Sequence, residues 1–336
     1  MPSWKIRDLT IANQVVIAPL AGISNQAFRS IAKQFNAGLV YSEMISDKAI
    51  VHGNTRTIEM CQINADEHPV ALQLFGEDIE SMVKAAIYMD LHTDCDIIDI
   101  NMGCPVPKVV KGSGGASLMK TPELAADLIY HITRNVHKPV TAKIRTGWDN
   151  SSINAVEMAV GLEKAGASAI AIHGRTRSAM YGGSVNIEEI ARVKAALTIP
   201  LIANGDITSL EKAREMILLT NADALMIGRG ILGNPWLIEE LVNGLDGNSA
   251  PLEISLHHKF EIARRHAEKL IVVKGEKVAI KQMRGHFCWY ITGLTRSHSV
   301  KTLISQMTTY EQFDRIVRDY EIALQTNDWA FLEKAD

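Results

Sequence analysis

Eight short apolar segments, rich in β-branched residues, recur along the first two thirds of the chain, and helical patterns separate them. They predict strands at residues 15–18, 39–42, 70–75, 97–101, 140–144, 169–173, 200–203 and 224–227. Strands that are apolar on both faces, without alternation, are typical of a parallel sheet covered by helices. Eight strand–helix units in succession predict an α/β fold, the closed (β/α)8 or TIM barrel. A doubly wound open sheet is the alternative, and it accommodates eight regular units less naturally.

The segments between the strands carry signals for the start and the end of helices. Thr121, Pro122 and Glu123 offer a capping hydroxyl, a proline suited to the first turn and an acid at the positive end of a helix. Gly166 follows the helical segment 154–164 in the position of a C-terminal cap. These signals predict the covering helices that a barrel requires.

The pattern changes after a polar stretch rich in Gly, Asn and Pro at residues 243–251. Beyond it the strand signals stop, and helices are predicted at 255–273, 276–291, 295–306 and 310–327. The chain therefore divides into a barrel domain at 1–243 and a small C-terminal all-α helical bundle domain at 252–336.

Charge is distributed unevenly along the chain. Residues 255–301 contain ten Lys and Arg against three Glu, a local net charge of +7 in a chain whose total is −3, so the remainder carries −10. A basic segment within an acidic protein favours a confined surface for a polyanion. Lys277, Lys281 and Arg284 share one face of the second C-terminal helix. A solvated helical face without a partner is the alternative.

The cysteines and the N-terminus exclude several classes of protein. Cys61, Cys95, Cys104 and Cys288 form no C-x-x-C pair, so we expect neither a metal site nor a disulfide framework. The first residues lack a cationic stretch followed by an apolar run, so no signal peptide is expected. No apolar segment reaches the roughly 18 residues that span a bilayer. We expect a cytoplasmic protein.

Polar residues and tight turns recur at the carboxyl ends of the predicted strands, where TIM barrels have their active sites. From the first strand to the eighth these are Pro19, Leu20, Ala21, Gln73, Asn101, Lys143, Arg145, His173, Asn204, Gly205, Asp206, Gly228 and Arg229. The loops after strands seven and eight commonly bind phosphate in this fold, and glycine amides with one arginine suit a phosphomonoester. A single interior Lys or Gln can also be a hydrogen-bonded core group, but a whole ring of polar strand ends is harder to explain that way.

A phosphate at strands seven and eight, with Gln73 and Lys143 at the barrel mouth, suits FMN. Gln73 can pair with the pyrimidine-like edge of the flavin ring, and Lys143 can stabilise negative charge on the reduced ring. Cys104 lies in a Gly/Pro-rich turn, where a thiol with a pKa of about 8.5 can act as an acid. A structural role is the alternative for this cysteine, as for the other three. The Gly-rich run 112–115 lacks the Gly-Lys-Ser/Thr ending of a P-loop and is not interpreted as one.

Seven segments together resemble the tRNA-dihydrouridine synthase family, and their spacing is most similar to its bacterial B-type branch. They read APLAG at 18–22, SEM at 42–44, DINMGCP at 99–105, KIRTG at 143–147, HGRTR at 173–177, ANGDI at 203–207 and MIGR at 226–229. The resemblance extends to Trp289, Tyr290 and the basic helices near them. The Asn-x-Gly-Cys-Pro element is the specific one, because other FMN barrels share the Asn-Gly-Asp and Gly-Arg elements. Leu20 stands where the family often has methionine.

The resemblance implies a set of roles for these residues. FMN would bind to Pro19, Leu20, Ala21, Gln73, Lys143, His173, Asn204, Gly205, Asp206, Gly228 and Arg229. The flavin, reduced by NADPH, would pass a hydride to C6 of a uridine in the D-loop of tRNA while Cys104 protonates C5. Asn101, Arg145 and Arg177 would hold the base or its phosphate. We expect Lys277, Lys281, Arg284 and Arg296 to contact the tRNA backbone, and we expect a monomer.

Two other functions remain open at this point. A small-molecule FMN oxidoreductase of the dihydroorotate-dehydrogenase type also places an Asn and a Cys or Ser near a flavin, but it has no need of a basic helical appendage. A non-catalytic RNA-binding protein that keeps the barrel as a scaffold is the second alternative. It predicts RNA binding without a yellow chromophore.

Overall fold

A closed barrel of eight parallel strands, neighbouring one another in chain order, forms the centre of the protein. The computed structural model describes residues 3–107, 114–248 and 253–333. The barrel strands are β3 (Val15–Ile17), β4 (Leu39–Ser46), β5 (Val70–Phe75), β6 (Ile97–Asn101), β7 (Val140–Arg145), β8 (Ile170–His173), β9 (Leu201–Asn204) and β10 (Ala224–Ile227), preceded by β1 (Trp4–Ile6) and β2 (Leu9–Ile11). The predicted TIM barrel is confirmed, and every barrel strand begins within one residue of its predicted position.

The side chains that point into the barrel change from apolar to polar along its axis. Near the amino ends, apolar side chains fill the interior, among them Leu39, Tyr41, Ala71, Ile97, Ala169, Ala171, Ile202 and Ala224. Inward positions recur every second residue, so Gln73 follows Ala71 and Asp99 follows Ile97 on the inner side. The intervening positions, such as Ile98, face outward and pack in the larger core with the helices. The barrel is therefore apolar at its amino end and polar at its carboxyl end.

An N-terminal hairpin that the sequence analysis did not predict covers the amino end of the barrel. Strands β1 and β2 pair antiparallel, and their Ile6 and Ile11 are fully buried against the interior cluster. The indole Nε1 of Trp4 donates to the Asn13 carbonyl oxygen at 2.8 Å. Strands of three residues are too short to show an alternating pattern, so periodicity could not reveal them.

Helices cover the outside of the barrel. They are α1 (Gln26–Gln34), α2 (Asp47–Val51), α3 (Thr55–Glu59), α4 (Ile79–His92), α5 (Pro122–Thr133), α6 (Ala155–Ala165), α7 (Ile187–Ala196), α8 (Leu210–Thr220) and α9 (Trp236–Leu245), with 3-10 turns at Ala65–Glu67, Gly115–Lys120 and Arg229–Ile231. Gly166 ends α6 with φ +112°, as predicted. Thr121 is the N-cap residue of α5, with Pro122 and Glu123 in the first turn as predicted, but its hydroxyl makes no capping hydrogen bond.

The C-terminal region is all helical, as predicted. Its helices are α10 (Leu256–Lys274), α11 (Glu276–Tyr290), α12 (Ser297–Gln306), α13 (Tyr310–Thr326) and α14 (Ala330–Glu333). Helix α10 packs on α1 of the barrel, where Lys269 Nζ donates to Ser30 Oγ at 2.8 Å. Helix α9 continues to Leu245, two residues past the predicted domain boundary at 243. The other boundary, at 252, lies outside the described residues, as do residues 249–251 of the polar stretch and residues 112–113 of the Gly-rich run.

Among the described residues, no helix is both long and apolar enough to cross a lipid bilayer.

Candidate active site

A cavity of about 630 Å³ opens at the carboxyl end of the barrel. Its lining contains most of the predicted site residues: Pro19, Leu20, Ala21, Asn101, Cys104, Lys143, Arg145, His173, Asn204, Gly205, Asp206, Gly228 and Arg229. The volume lies within the range of about 300–1,000 Å³ that is usual for sites of small molecules and cofactors. Parallel strands all end on the same side of a closed barrel, so residues far apart in the sequence meet around one opening.

Three polar side chains from neighbouring strands lie together in this cavity. Lys143 Nζ donates to Asn204 Oδ1 at 3.1 Å, and Asn204 Nδ2 donates to the Met226 carbonyl oxygen at 2.6 Å. Burial, together with the nearby Arg145, lowers the pKa of Lys143 to about 8. Burial and the neighbouring cations lower the pKa of His173 to about 2, so this imidazole is neutral. Lys143 thus places a positive charge against the neutral amide of Asn204.

The turn after β9 and the arginines around it form a basic corner of the cavity. Gly205 and Asp206 have φ values of +141° and +50°, which turn the chain sharply at the strand end. Arg175 binds both carboxylate oxygens of Asp206, at 2.9 and 2.6 Å. Arg229 Nη2 lies 3.9 Å from Asp206 Oδ1, and its side chain is 58 % exposed. Because Arg175 already satisfies the carboxylate, Arg229 can turn its guanidinium toward an anion.

Cys104 lies beside these groups, on the loop after β6. Its backbone N–H donates to Asn101 Oδ1 at 2.9 Å, and its carbonyl oxygen accepts from the Ala116 N–H at 3.0 Å. The residue is buried but contributes to the cavity lining. Burial raises the pKa of the Cys104 thiol, although Arg145 and Lys143 act against this shift. The thiol is therefore protonated at neutral pH and can donate a proton.

Arg145 ties the Cys104 loop to the loop after β8. Its Nε donates to the Gly103 carbonyl oxygen at 2.7 Å, and its Nη1 donates to the carbonyl oxygens of Thr176 and Met180 at 2.8 and 2.9 Å. Burial lowers its pKa to about 10, so it stays charged. The residue lines the cavity, but most of its donors are engaged with the backbone.

Two of the predicted cofactor-binding and base-binding residues lie away from the cavity lining. Gln73 is fully buried beneath it, with its amide between Asp99 and Asn101. Arg177 is half-buried, and its guanidinium carbon lies 4.5 Å from the ring centroid of Trp148. A direct contact of Gln73 with a cofactor, and of Arg177 with a substrate, both stay predictions.

Two aromatic residues of the site, Tyr181 and Trp289, are not among those predicted from the strand ends. Tyr181, on the loop after β8, lines the cavity, and Arg229 packs on its ring at 4.9 Å. Trp289, near the end of α11, also lines the cavity, so the helical region completes the wall of a barrel site. Tyr181 stands in a Gly-rich loop that gave no signal of its own. Trp289 had been noted only as part of the family resemblance, since nothing in the sequence indicates that α11 reaches the barrel mouth.

The four basic residues of the helical region lie in different environments. Lys277 and Lys281 are exposed on α11. Arg284 is half-buried, and its Nε donates to the Met307 carbonyl oxygen at 3.0 Å. Arg296 is exposed, with its guanidinium carbon 5.0 Å from the ring centroid of Trp329. The guanidinium of Arg284 thus also holds the residue after α12, and the predicted contacts of all four residues with tRNA stay predictions.

Proteins of similar sequence were found over nearly the whole chain. tRNA-dihydrouridine synthase B of Pasteurella multocida is 40% identical over 290 residues, which cover 86% of this chain and 87% of that protein. The protein of the same name from Pseudomonas syringae pv. tomato is 37% identical and covers 95% of each chain. A probable tRNA-dihydrouridine synthase of Rickettsia bellii is 36% identical, over 90% of this chain and 93% of that one.

A solved structure shares the fold at low sequence identity. The chain superimposes on a variant of NCR from Zymomonas mobilis with a TM-score of 0.53 and 16% identity, over 77% of this chain and 96% of that one. This likeness concerns the barrel fold alone.

The family model described as dihydrouridine synthase matches residues 16–327. This match runs from the first barrel strand to the end of the helical region. Together with relatives at up to 40% identity, it shows that the chain belongs to the dihydrouridine synthase family.

Proposed function

We propose that this protein is a flavin-dependent tRNA-dihydrouridine synthase, which reduces the C5=C6 bond of one or more D-loop uridines in tRNA. The observation that carries the proposal is the position of Cys104 on the lining of a cavity that also holds Lys143 and Arg229, where burial raises the pKa of its thiol. Family membership agrees with this activity, as does the activity for which the relatives are named.

The residues of the cavity fit FMN. Arg229, together with the backbone of Gly228 and Gly205, suits the phosphate, because Arg175 has already taken up the negative charge of Asp206. Lys143 donates to a neutral amide rather than to a carboxylate, so its charge is available to the edge of a flavin ring. Pro19, Leu20 and Ala21 offer an apolar wall. When bound there and reduced by NADPH, FMN would supply the hydride for C6 of the uracil ring.

Cys104 would supply the proton of the same reduction. The C5=C6 bond of uracil is conjugated with the C4 carbonyl, so hydride addition at C6 leaves negative charge that is relieved by a proton at C5. A buried thiol with a raised pKa keeps this proton at neutral pH and can give it up when the enolate forms. Arg145 holds the Cys104 loop through Gly103 and lines the cavity near the base.

The exposed lysines of α11 would hold the tRNA. Lys281 precedes Trp289 on the cavity wall by eight residues, about 12 Å along a helix. Lys277 lies one turn further from Trp289, so the two exposed lysines form a short basic strip along α11. A uridine has to leave its stack to enter the cavity, at a cost of a few kcal/mol. Phosphate contacts on this strip would offset that cost.

We extend the proposal to the setting of the enzyme. NADPH would be the reductant, the enzyme would act as a monomer, and the reaction would take place in the cytoplasm, where tRNA is found. The sequence has no G-x-G-x-x-G fingerprint of a dinucleotide-binding fold after a strand. NADPH would therefore approach the flavin through the same open cavity.

The decisive experiment combines tRNA from cells that lack this protein with the purified protein and its Cys104→Ala variant. Mass mapping should find D-loop uridines in place of dihydrouridines, and the wild-type protein with NADPH should restore the modification. Cys104→Ala should retain the yellow chromophore and NADPH oxidation but lose dihydrouridine formation. Cys288→Ala is the matched control, since this half-buried cysteine lies on α11 away from the cavity lining. A protein that reduces orotate and leaves tRNA unchanged would overturn the proposal.

A further inference from the structure

A fully buried carboxylate lies inside the barrel, beneath the cavity. Asp99 points inward from β6, two residues before Asn101, and has no exposed surface. Its Oδ1 accepts from Thr141 Oγ1 at 2.6 Å, and its Oδ2 accepts from Gln73 Nε2 at 2.6 Å. Burial raises the pKa of Asp99 to about 6, while the hydrogen bonds from Gln73 and Thr141 act against this shift. The group is therefore mainly ionised at neutral pH, where it can only accept hydrogen bonds.

A chain of hydrogen bonds leads from this carboxylate to the Cys104 loop. Asn101 Nδ2 donates to Gln73 Oε1 at 2.7 Å. Asn101 Oδ1 in turn accepts from the backbone N–H groups of Cys104 and Gly103, at 2.9 and 3.3 Å. Two side-chain amides thus connect Asp99 to the backbone of the residue that carries the thiol.

The two ends of this chain determine which way each amide faces. A backbone N–H can only donate, so it requires the oxygen of Asn101. An ionised carboxylate can only accept, so it requires the nitrogen of Gln73. With both ends set, Gln73 Oε1 must meet Asn101 Nδ2, and the reverse orientation of either amide would place donor against donor or acceptor against acceptor. Such unsatisfied buried groups are costly.

We propose that Asp99 is a positioning residue: through Gln73 it orients the amide of Asn101, which then holds the backbone of Cys104 in place beside the substrate. The second hydrogen of Asn101 Nδ2 is the part of this amide left for the cavity, which Asn101 lines. Asn101 is thereby a hydrogen-bond donor toward the substrate and recognises a carbonyl oxygen of the base. This inference rests on the proposed function, because it assigns Asp99 to the reduction of a uracil ring.

The test compares Asp99→Leu, which removes the acceptor while keeping a similar shape, with Asp99→Asn, which keeps one acceptor oxygen. For Asp99→Leu we expect kcat for dihydrouridine formation at saturating tRNA to fall by about 10-fold to 100-fold, the scale of a lost hydrogen bond to a charged group. NADPH oxidation and flavin content should stay near the wild-type level. Asp99→Asn should recover most of kcat, because its oxygen can still accept from Gln73.

Thr141→Val is the matched control, because it removes a hydrogen bond of the same 2.6 Å length from the same carboxylate without touching the amide chain. Its kcat should stay within about twofold of wild type. The Asn101→Ala background supplies the second control. Once Asn101 is gone the chain is already broken, so Asp99→Leu should lower kcat no further.

The accessibility of the Cys104 thiol is a second measurement, independent of turnover. Alkylation of Cys104 by iodoacetamide, followed by mass spectrometry, should be several-fold faster in Asp99→Leu and in Asn101→Ala, and unchanged in Thr141→Val. If Asp99→Leu does not fold, the same comparisons are made with Asp99→Asn, whose smaller effects should also vanish in the Asn101→Ala background.

Two results would overturn the inference. One is an unchanged kcat and alkylation rate in Asp99→Leu. The other is an equal fall of kcat in the wild-type and Asn101→Ala backgrounds, which would mean that Asp99 acts through general stability. Failure of the proposed function is distinct from both, because wild-type protein would then leave tRNA uridines unreduced while the alkylation rates of Cys104 still report on the chain.

Discussion

Burial shifts the pKa values of Lys143 and Cys104 in opposite directions, and each shift favours the neutral form of the group. It lowers the pKa of the ammonium group to about 8 and raises that of the thiol. A charged group loses hydration in a buried cavity, so the lysine binds its proton less tightly and the cysteine more tightly. The outcome is a cation that remains mainly charged at pH 7 beside an acid that remains protonated.

The raised pKa of Cys104 predicts how its reactivity depends on pH. Only the thiolate is alkylated, so the rate of iodoacetamide labelling should rise with pH and reach its midpoint above that of the same cysteine in unfolded protein. The sign follows from the shift, because a raised pKa keeps the thiol protonated to higher pH. Labelling across the alkaline range, with quantification of the peptide that contains Cys104, measures the midpoint.

The denatured protein supplies the reference for this measurement, since it exposes the same peptide without burial. A native midpoint below the denatured one would mean that Lys143 and Arg145 stabilise a thiolate. A native midpoint that also fell below pH 7 would exclude Cys104 as the proton donor.

At the scale of elements, the turn between β10 and α9 is in close contact with the end of α11. Gly233 lies in the turn between β10 and α9, with φ +65°. A Cβ atom at this position would lie 2.2 Å from the backbone carbon of Trp289. The absence of a side chain therefore allows the end of α11 to approach the loop after β10, and this approach places Trp289 on the cavity wall.

Gly233→Ala should displace the end of α11 and lower kcat/KM for tRNA by about 10-fold or more, as expected when a positioning contact is lost. It should also lower the Tm. Steady-state kinetics and a thermal melt by circular dichroism measure the two effects.

Gly247→Ala is the control for backbone strain. Gly247 has φ +88°, but apart from its chain neighbours no atom of the described residues lies within 4 Å of the position of its Cβ. The control should suffer a strain of about 1–2 kcal/mol and keep its kcat/KM. Equal losses in the two variants would mean that the contact with Trp289 has no influence on the site.

For the whole molecule, we expect tRNA binding to depend on where the positive charges lie rather than on the net charge. The chain has a net charge of −3, yet α11 carries exposed lysines on the region that borders the cavity. RNA binding should therefore depend on a few residues. Lys277→Glu with Lys281→Glu should weaken tRNA binding and lower the slope of log Kd against log salt by about 1.5, from two lost phosphate contacts. Fluorescence anisotropy over a range of salt concentrations measures the slope, and flavin reduction should be unaffected.

Lys5→Glu with Lys164→Glu changes the net charge equally at the opposite end of the barrel. Lys5 is exposed on the N-terminal hairpin, and Lys164 is exposed at the end of α6, which runs antiparallel to the strands. This control should bind tRNA with the wild-type slope. If both double variants lose affinity alike, net charge rather than the α11 surface governs binding.

Local patterns in the sequence were enough to predict the barrel and about half of the residues that line the cavity. Runs of apolar residues identified the eight strands, and a closed parallel barrel brings all of their carboxyl ends together. Residues such as Asn101, Lys143 and His173 could therefore be assigned to one site without knowledge of any distance. The short N-terminal hairpin could not be predicted, because its strands have only three residues each.

Contacts between distant segments were decided by the tertiary structure alone. Lys143 meets Asn204, Asp99 meets Gln73, and Trp289 reaches the cavity from another region of the chain. Arg284 carries a charge that a sequence count treats as free, but it is engaged by the Met307 carbonyl. Periodicity determines which face of an element is buried. The partners of a side chain, and hence its orientation and pKa, depend on how the elements close and dock, and that information is not local to any segment of the sequence.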